Sequence, residues 1–285
     1  MGYSRAPLSK QNVYVICGAP RSGTTWLHNA LIGAHRFRGR MGVDTEPARN
    51  GLFVTDENQL SHRLLRQIAM TQRQCAVRGM AVIALQALKS ALFLAFECNR
   101  DLLLKSPYYV FFLDIMGAEN FGSHFLYIRR NIIDIAQSML NHRFLRKQIS
   151  GNYADFNSMR TPYFDIETRW ISEGLRMEFE RDFDEICLYD RALFKALCFA
   201  SAFNATRTSL PAENVYVMDY ESVLENTEQW RRVEELFQIS SAQSRVIRST
   251  FRLSGSCSTR GSVTRTDWAI RICDEASLVW SSAEQ

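Results

Sequence analysis

The segment Val13-Tyr-Val-Ile-Cys-Gly-Ala-Pro-Arg-Ser-Gly-Thr-Thr-Trp-Leu27 constrains this chain more than any other. Residues of strand character run into Gly18-Ala-Pro-Arg-Ser-Gly23, and helical periodicity begins directly afterwards. A strand, a tight turn and a helix in that order make an anion-binding unit. Gly18 and Gly23 let the backbone turn sharply and come close to a ligand. The first N–H groups of the helix lack intrahelical partners, and the positive end of the dipole lies behind them. Ser22, Thr24 and Thr25 add hydroxyls. Arg21 adds a guanidinium that can grip an oxyanion through two bonds.

The rest of the chain repeats the alternation of strand and helix. The spacing predicts a strand at 13–17 and a helix at about 24–34, with Leu27, Ala30, Leu31 and Ala34 on one face. A loop with Gly39, Gly42, Pro47 and Gly51 follows, then helices at about 55–73 and 80–97. Strands are expected at 102–105, 124–128 and 215–218, and helices at about 131–146, 184–208 and 221–237. This order predicts an α/β fold, a P-loop-type parallel sheet flanked by helices. The 285 residues suit a single domain spanning 1–285. Segment 141–183 breaks the rhythm by mixing Arg143, Arg146 and Lys147 with Phe144, Tyr153, Phe156, Tyr163, Phe164 and Trp170. It reads either as a helical insertion serving as an acceptor-side lid or as a peripheral insertion with solvated charges.

Composition narrows the function. A net charge of +4 suits a polyanionic ligand but lacks the concentrated basic stripe of a nucleic-acid binder. Seven scattered cysteines with no Cys-x-x-Cys pair predict free thiols, no zinc site and no disulfide framework. No metal is expected. The chain opens Met-Gly-Tyr-Ser-Arg-Ala-Pro, without an apolar signal segment. The one stretch apolar enough to invite a membrane reading, 80–96, carries Gln86, Lys89 and Ser90 near its centre. A central Lys costs about 2.5–3.5 kcal/mol on insertion, so a buried core helix is the better reading. These features predict a cytoplasmic protein with no membrane span.

The loop departs from the Walker pattern in one respect. Where an NTPase carries Gly-Lys-Ser/Thr, this chain has Gly23-Thr24-Thr25, and the basic group sits in the loop as Arg21. Pro20-Arg-Ser-Gly-Thr-Thr-Trp-Leu27 resembles the 5′-phosphosulfate loop of the sulfotransferases that use 3′-phosphoadenosine 5′-phosphosulfate (PAPS). Tyr127-Ile-Arg-Arg-Asn-Ile-Ile-Asp-Ile-Ala-Gln-Ser138 resembles their 3′-phosphate motif, which implies that Arg130 and Ser138 bind that phosphate. Leu104-Lys-Ser-Pro107 resembles the Lys-x-Pro segment of the tyrosylprotein and carbohydrate branch. Lys105 is then the cation at the bridging oxygen of the leaving group. Cytosolic phenol and steroid enzymes carry Lys-Thr-His there, and Pro107 replaces their basic His.

The resemblance therefore places the general base elsewhere. In the tyrosylprotein and heparan branches a Glu in a loop placed like Val43-Asp-Thr-Glu-Pro47 fills that role, which makes Glu46 the candidate and Asp44 its understudy. A carboxylate in a partly dry site has a raised pKa and can accept a hydroxyl proton. Further loose matches are Ser258-Thr-Arg-Gly-Ser…Thr266-Asp-Trp268, which implies Arg260 and Gly261 as 3′-phosphate contacts, and Asp219-Tyr-Glu-Ser-Val-Leu. Trp26 stands where cytosolic members stack a Trp on adenine, or it is simply a core residue of the helix.

Taken together, the resemblance implies a PAPS-dependent sulfotransferase, with adenosine 3′,5′-bisphosphate (PAP) as the spent product. Its acceptor is a hydroxyl or amine of a small molecule, carbohydrate or lipid. Two rivals stay open: a P-loop nucleotide kinase or NTPase using Thr25 and an Asp such as Asp114 at Mg²⁺, and an inactive PAP-binding module.

Overall fold

The computed structural model describes residues 12–33, 102–118, 124–151, 167–223, 228–250 and 266–281. Among these residues four strands pair in parallel: β1 (Val13–Gly18), β2 (Leu102–Lys105), β3 (His124–Arg129) and β4 (Val215–Asp219), in the spatial order β2-β1-β3-β4. The helices are α1 (Thr24–Gly33), α2 (Leu113–Ala118), α3 (Ile132–Leu140), α4 (Arg143–Ile149), α5 (Glu173–Arg181), α6 (Leu188–Thr206), α7 (Glu228–Phe237), α8 (Ser241–Thr250) and α9 (Asp267–Ser281). The expected parallel α/β architecture is present.

β1 is apolar throughout because helices cover both faces of the sheet. Tyr14 and Ile16 join Leu27 and Leu31 of α1, Trp230 and Phe237 of α7 and Ile247 of α8. Val13, Val15 and Cys17 face the other way, into a larger cluster built on α6. There Phe203 stacks on Tyr127 at 3.7 Å between ring centroids, and Phe199 meets Phe111 edge-on at 4.7 Å. Burying each such large apolar side chain contributes about 1.5–3 kcal/mol.

Several boundaries differ from expectation. The helix expected at 131–146 is two helices. Asn141 closes α3, and His142 starts α4 by accepting the Leu145 N–H at its Nδ1 (3.4 Å). The Asn141 backbone N–H bonds back to the Gln137 carbonyl (3.2 Å) to end one helix, the His142 side chain begins the next, and hydrophobic periodicity reports neither cap. The helix expected at 184–208 begins only at Leu188, after turns at 182–186, and ends in a 3₁₀ turn, Arg207–Ser209. The helix expected from 221 is a 3₁₀ turn, Tyr220–Val223, followed by α7. Thr266 caps a helix. Its Oγ1 accepts the Ala269 N–H (3.0 Å) and starts α9, which buries Ala269, Ile272 and Ala276. The expected helices at 55–73 and 80–97 lie outside the described residues. Among the described residues no helix is long and apolar enough to cross a membrane. Cys17, Cys187, Cys198 and Cys273 are free thiols, and the other cysteines lie outside the described residues.

Two buried cations tie the described parts of 141–183 to α6. Arg191 donates through Nη1 to the Ile149 and Gly151 carbonyls (3.2 and 2.8 Å) and through Nε to Ile186 (2.9 Å). These bonds satisfy carbonyls at the end of α4. Lys195 Nζ donates to both carboxylate oxygens of Glu167 (2.8 and 2.9 Å), and both side chains are buried. Removing one partner of a buried pair strands the other charge. Lys195→Met is expected to lower unfolding free energy by about 3–5 kcal/mol. Adding Glu167→Leu should recover most of that loss, and urea unfolding of the two variants measures both effects.

Candidate active site

The strand order creates the site. β1 lies between β2 and β3, and the chain leaves β1 toward one face through α1 but leaves β3 toward the other through α3. Such a reversal opens a crevice at the carboxyl edge of a parallel sheet, where ligands of open α/β folds bind. Two sequence-predicted segments meet in it, 18–23 after β1 and 130–138 after β3.

The first segment is strained where it should be. Gly18 and Gly23 have φ of 150° and 107°, and Ser22 N–H closes the turn on the Ala19 carbonyl (3.0 Å). A Cβ at Gly18 would lie 2.8 Å from both the Ile128 carbonyl oxygen and Ser22 Oγ. Arg21 is left-handed too, with φ of 74°. A residue with a Cβ pays about 1–2 kcal/mol for that conformation. The second segment holds Arg21 there from two sides. Arg21 Nε donates to Ser138 Oγ (3.0 Å), and Arg130 Nη1 donates to the Arg21 carbonyl (2.9 Å).

Arg130 is held in turn. It leaves the end of β3 beside Asn131, whose side chain caps α3 by accepting the Ile133 N–H (2.9 Å). Its guanidinium lies over the Tyr220 ring, 4.7 Å from the centroid, and its Nε is 3.8 Å from Glu221 Oε1. The β3–β4 register delivers these partners by pairing Arg129 with Asp219. Arg129 grips Asp219 through both carboxylate oxygens, and Gln229 Nε2 adds a bond to Oδ2 (2.8 Å). Burial pushes the Asp219 carboxyl up, but the Arg129 and Gln229 hydrogen bonds outweigh it and hold it below the usual carboxylate range. Glu221 goes the other way. Burial raises its carboxyl, only partly offset by its own backbone N–H and Arg130, and Asp134 and Asp219 push it further up.

The remaining predicted residues distribute as follows. Ser22 is fully buried, and its Oγ has no hydrogen-bond partner among the described residues. A buried hydroxyl in that state is an exception that calls for a ligand or water. Thr24 is buried and Thr25 exposed at the start of α1. Trp26 is half-buried and tilts against Trp230 at 6.1 Å, at the margin of the α1-side core. Lys105 ends β2 opposite Ile16 and is 5% exposed. Strand alternation puts it on the Leu103 side of the sheet, the side of α1. The Ser106 N–H bonds to the Ile16 carbonyl (3.1 Å), which carries the pairing to the edge of the phosphate loop. Pro107 opens a buried 3₁₀ turn, Pro107–Phe112. Glu46, Asp44, Arg260 and Gly261 lie outside the described residues.

Sequence reasoning placed Asp219-Tyr220-Glu221 without a role. Asp219's hold on Arg129, and the meeting of Tyr220 and Glu221 with Arg130, depend on β4 pairing with β3, which no local pattern reports. Tyr220 also closes on the loop itself, since a Cβ at Gly23 would lie 2.4 Å from two ring carbons. Gly23→Ala therefore meets both a positive φ and a ring. It is expected to destabilise the fold by about 1–3 kcal/mol, seen as a lowered midpoint in thermal unfolding.

Residues 14–189 match the pattern of the Sulfotransferase family, a span that includes the phosphate loop, Lys105 and the Arg130–Ser138 segment. No curated protein matches the chain. Among solved structures it is similar to a sulfotransferase domain from the curacin biosynthetic pathway, at 14% identity and TM-score 0.41, covering 81% of this chain and 75% of that one. It is also similar to a sulfotransferase domain from the Synechococcus PCC 7002 olefin synthase, at 14% identity and TM-score 0.45, covering 95% and 96% of the two chains. The family pattern runs through more than half of the sequence and through both segments of the crevice, and the chain belongs to the sulfotransferase family.

Proposed function

We propose that this protein transfers a sulfuryl group from PAPS to a hydroxyl or amine acceptor by in-line displacement. The observation that carries the reading is the contact between the two anion-binding segments through Arg21, bonded to Ser138 by its side chain and to Arg130 by its carbonyl. One nucleotide with an anionic group at each end of its ribose matches two adjoining subsites. The chain's residues fit such a ligand. The buried Ser22 hydroxyl, without a hydrogen-bond partner among the described residues, offers a donor at the 5′ end beside the start of α1.

PAPS supplies the activated sulfuryl group, and the chain supplies position and charge. Ser22, Gly23, Thr24 and Thr25 hold the 5′ end at the helix N-terminus. Arg130 and Ser138 read the 3′-phosphate, with Arg260 and Gly261 as further contacts, and Trp26 flanks the adenine. Arg21 and Lys105 place positive charge where oxygen charge grows as the bond to sulfur breaks, so catalysis is mainly orientation and electrostatic stabilisation. Glu46 accepts the acceptor's proton, and the product is a sulfate ester or, from an amine, a sulfamate. Pro107 opens a buried turn where cytosolic phenol enzymes carry a His base. That favours the tyrosylprotein and carbohydrate branch; separately, the reading puts 141–183 on the acceptor side of one domain, in a cytoplasmic setting.

Thermal shift with PAP and with Mg-ATP tests the nucleotide. PAP should stabilise the protein more, and Arg130→Ala and Ser138→Ala should each weaken PAP by about 1.5–3 kcal/mol and adenosine 5′-phosphosulfate clearly less, the smaller loss coming from the support both residues give Arg21. Stronger stabilisation by Mg-ATP would support the NTPase rival. Tight PAP binding with no turnover on any acceptor would support the binding module.

The base is tested separately, once labelled PAPS has identified an acceptor. Glu46→Gln should keep PAP affinity and lower turnover by roughly 10²–10⁴-fold, and Asp44→Asn should do much less. Near-full activity in Glu46→Gln would defeat the assignment.

A further inference from the structure

We infer that Glu221 is a built-in competitor for Arg130, which loosens the protein's hold on the 3′-phosphate and so on the spent nucleotide. The inference rests on the reading of Arg130 as the 3′-phosphate residue and adds a residue with the opposite effect.

Arg130 is positioned without Glu221. Its Nη1 is anchored on the Arg21 carbonyl at 2.9 Å, and its flat face lies on Tyr220. Only 9% of its side chain is exposed, against 49% for Glu221. At 3.8 Å and half exposed, the Glu221 carboxylate adds little rigidity to a side chain already fixed on two sides. It stands instead at the Nε edge, one of the two edges through which a guanidinium forks an oxyanion. Its neighbours do not silence it. Asp219 is matched by Arg129 and Gln229, while Asp134 and Asp219 both add negative potential at Glu221.

A phosphate bound to Arg130 therefore shares one cation with a carboxylate at its edge. The two like charges repel, and that repulsion exists only when the 3′-phosphate is present. An effect on turnover follows where release of the spent nucleotide limits the rate, as product release does in many enzymes. A site that grips its nucleotide at two ends gains from one residue that keeps the grip reversible.

The test titrates PAP and AMP, which differ by the 3′-phosphate alone, into wild type and Glu221→Gln by calorimetry at pH 7. The expected result is PAP binding about 3–10-fold tighter in the variant, AMP binding unchanged, and a gain that shrinks in high salt. A slower PAP dissociation rate should accompany it. Unchanged or weaker PAP binding overturns the inference, because Glu221 would then be idle or a support for Arg130. Equal tightening of PAP and AMP overturns it as well, since the 3′ group would not be what Glu221 opposes. If wild type binds PAP no better than AMP, the 3′-phosphate reading itself fails and takes this inference with it.

Discussion

Everything at the site depends on β1 being an interior strand with parallel neighbours on both sides. Parallel pairing puts the ends of all four strands at one edge, so the segments after β1, β2, β3 and β4 open onto the same crevice. Ser106, Arg130 and Tyr220 are far apart in the sequence, yet the registers of β2, β3 and β4 place each beside the loop that follows β1. The helices on the two faces make that arrangement rigid. α1 and α7 close one side and α6 the other, through side chains that are almost wholly buried.

The loop after β1 shows what that rigidity is used for. Arg21 sits in a conformation that costs a residue with a Cβ, and it remains there because the segment after β3 binds its carbonyl and its guanidinium. Strain of this kind persists where surrounding structure over-determines it. The consequence is a link between two subsites, because Arg21 is at once part of the first loop and the partner of both residues of the second.

Much of this was legible beforehand. The strand-loop-helix unit and the parallel α/β class rest on chemistry confined to short segments. Glycines where φ is positive, hydroxyls at a helix start and an Arg before a capped helix carry their meaning locally. What misled was also local. Periodicity ran through Asn141 and His142 as though one helix continued, because a cap is a hydrogen bond and leaves the apolar pattern intact. The Thr266-Asp-Trp segment gave no helix signal, yet Thr266 caps a helix whose buried face spans Ala269 to Ala276.

The sequence by itself determined the chemistry of the parts: a glycine-bounded turn on an apolar strand, a second basic segment at a helix start, and a Lys at the end of a third strand. Those follow from backbone freedom, side-chain donors and hydrophobic patterning within a few residues of each other. Only the tertiary structure decided which parts meet. The support of Tyr220 under Arg130, the approach of Glu221 to its Nε edge, the closure of Tyr220 on Gly23, and the burial of Lys195 with Glu167 all come from strand order and helix packing. Contacts between residues tens of positions apart are set by how the whole chain buries its apolar surface, and no local pattern encodes that outcome.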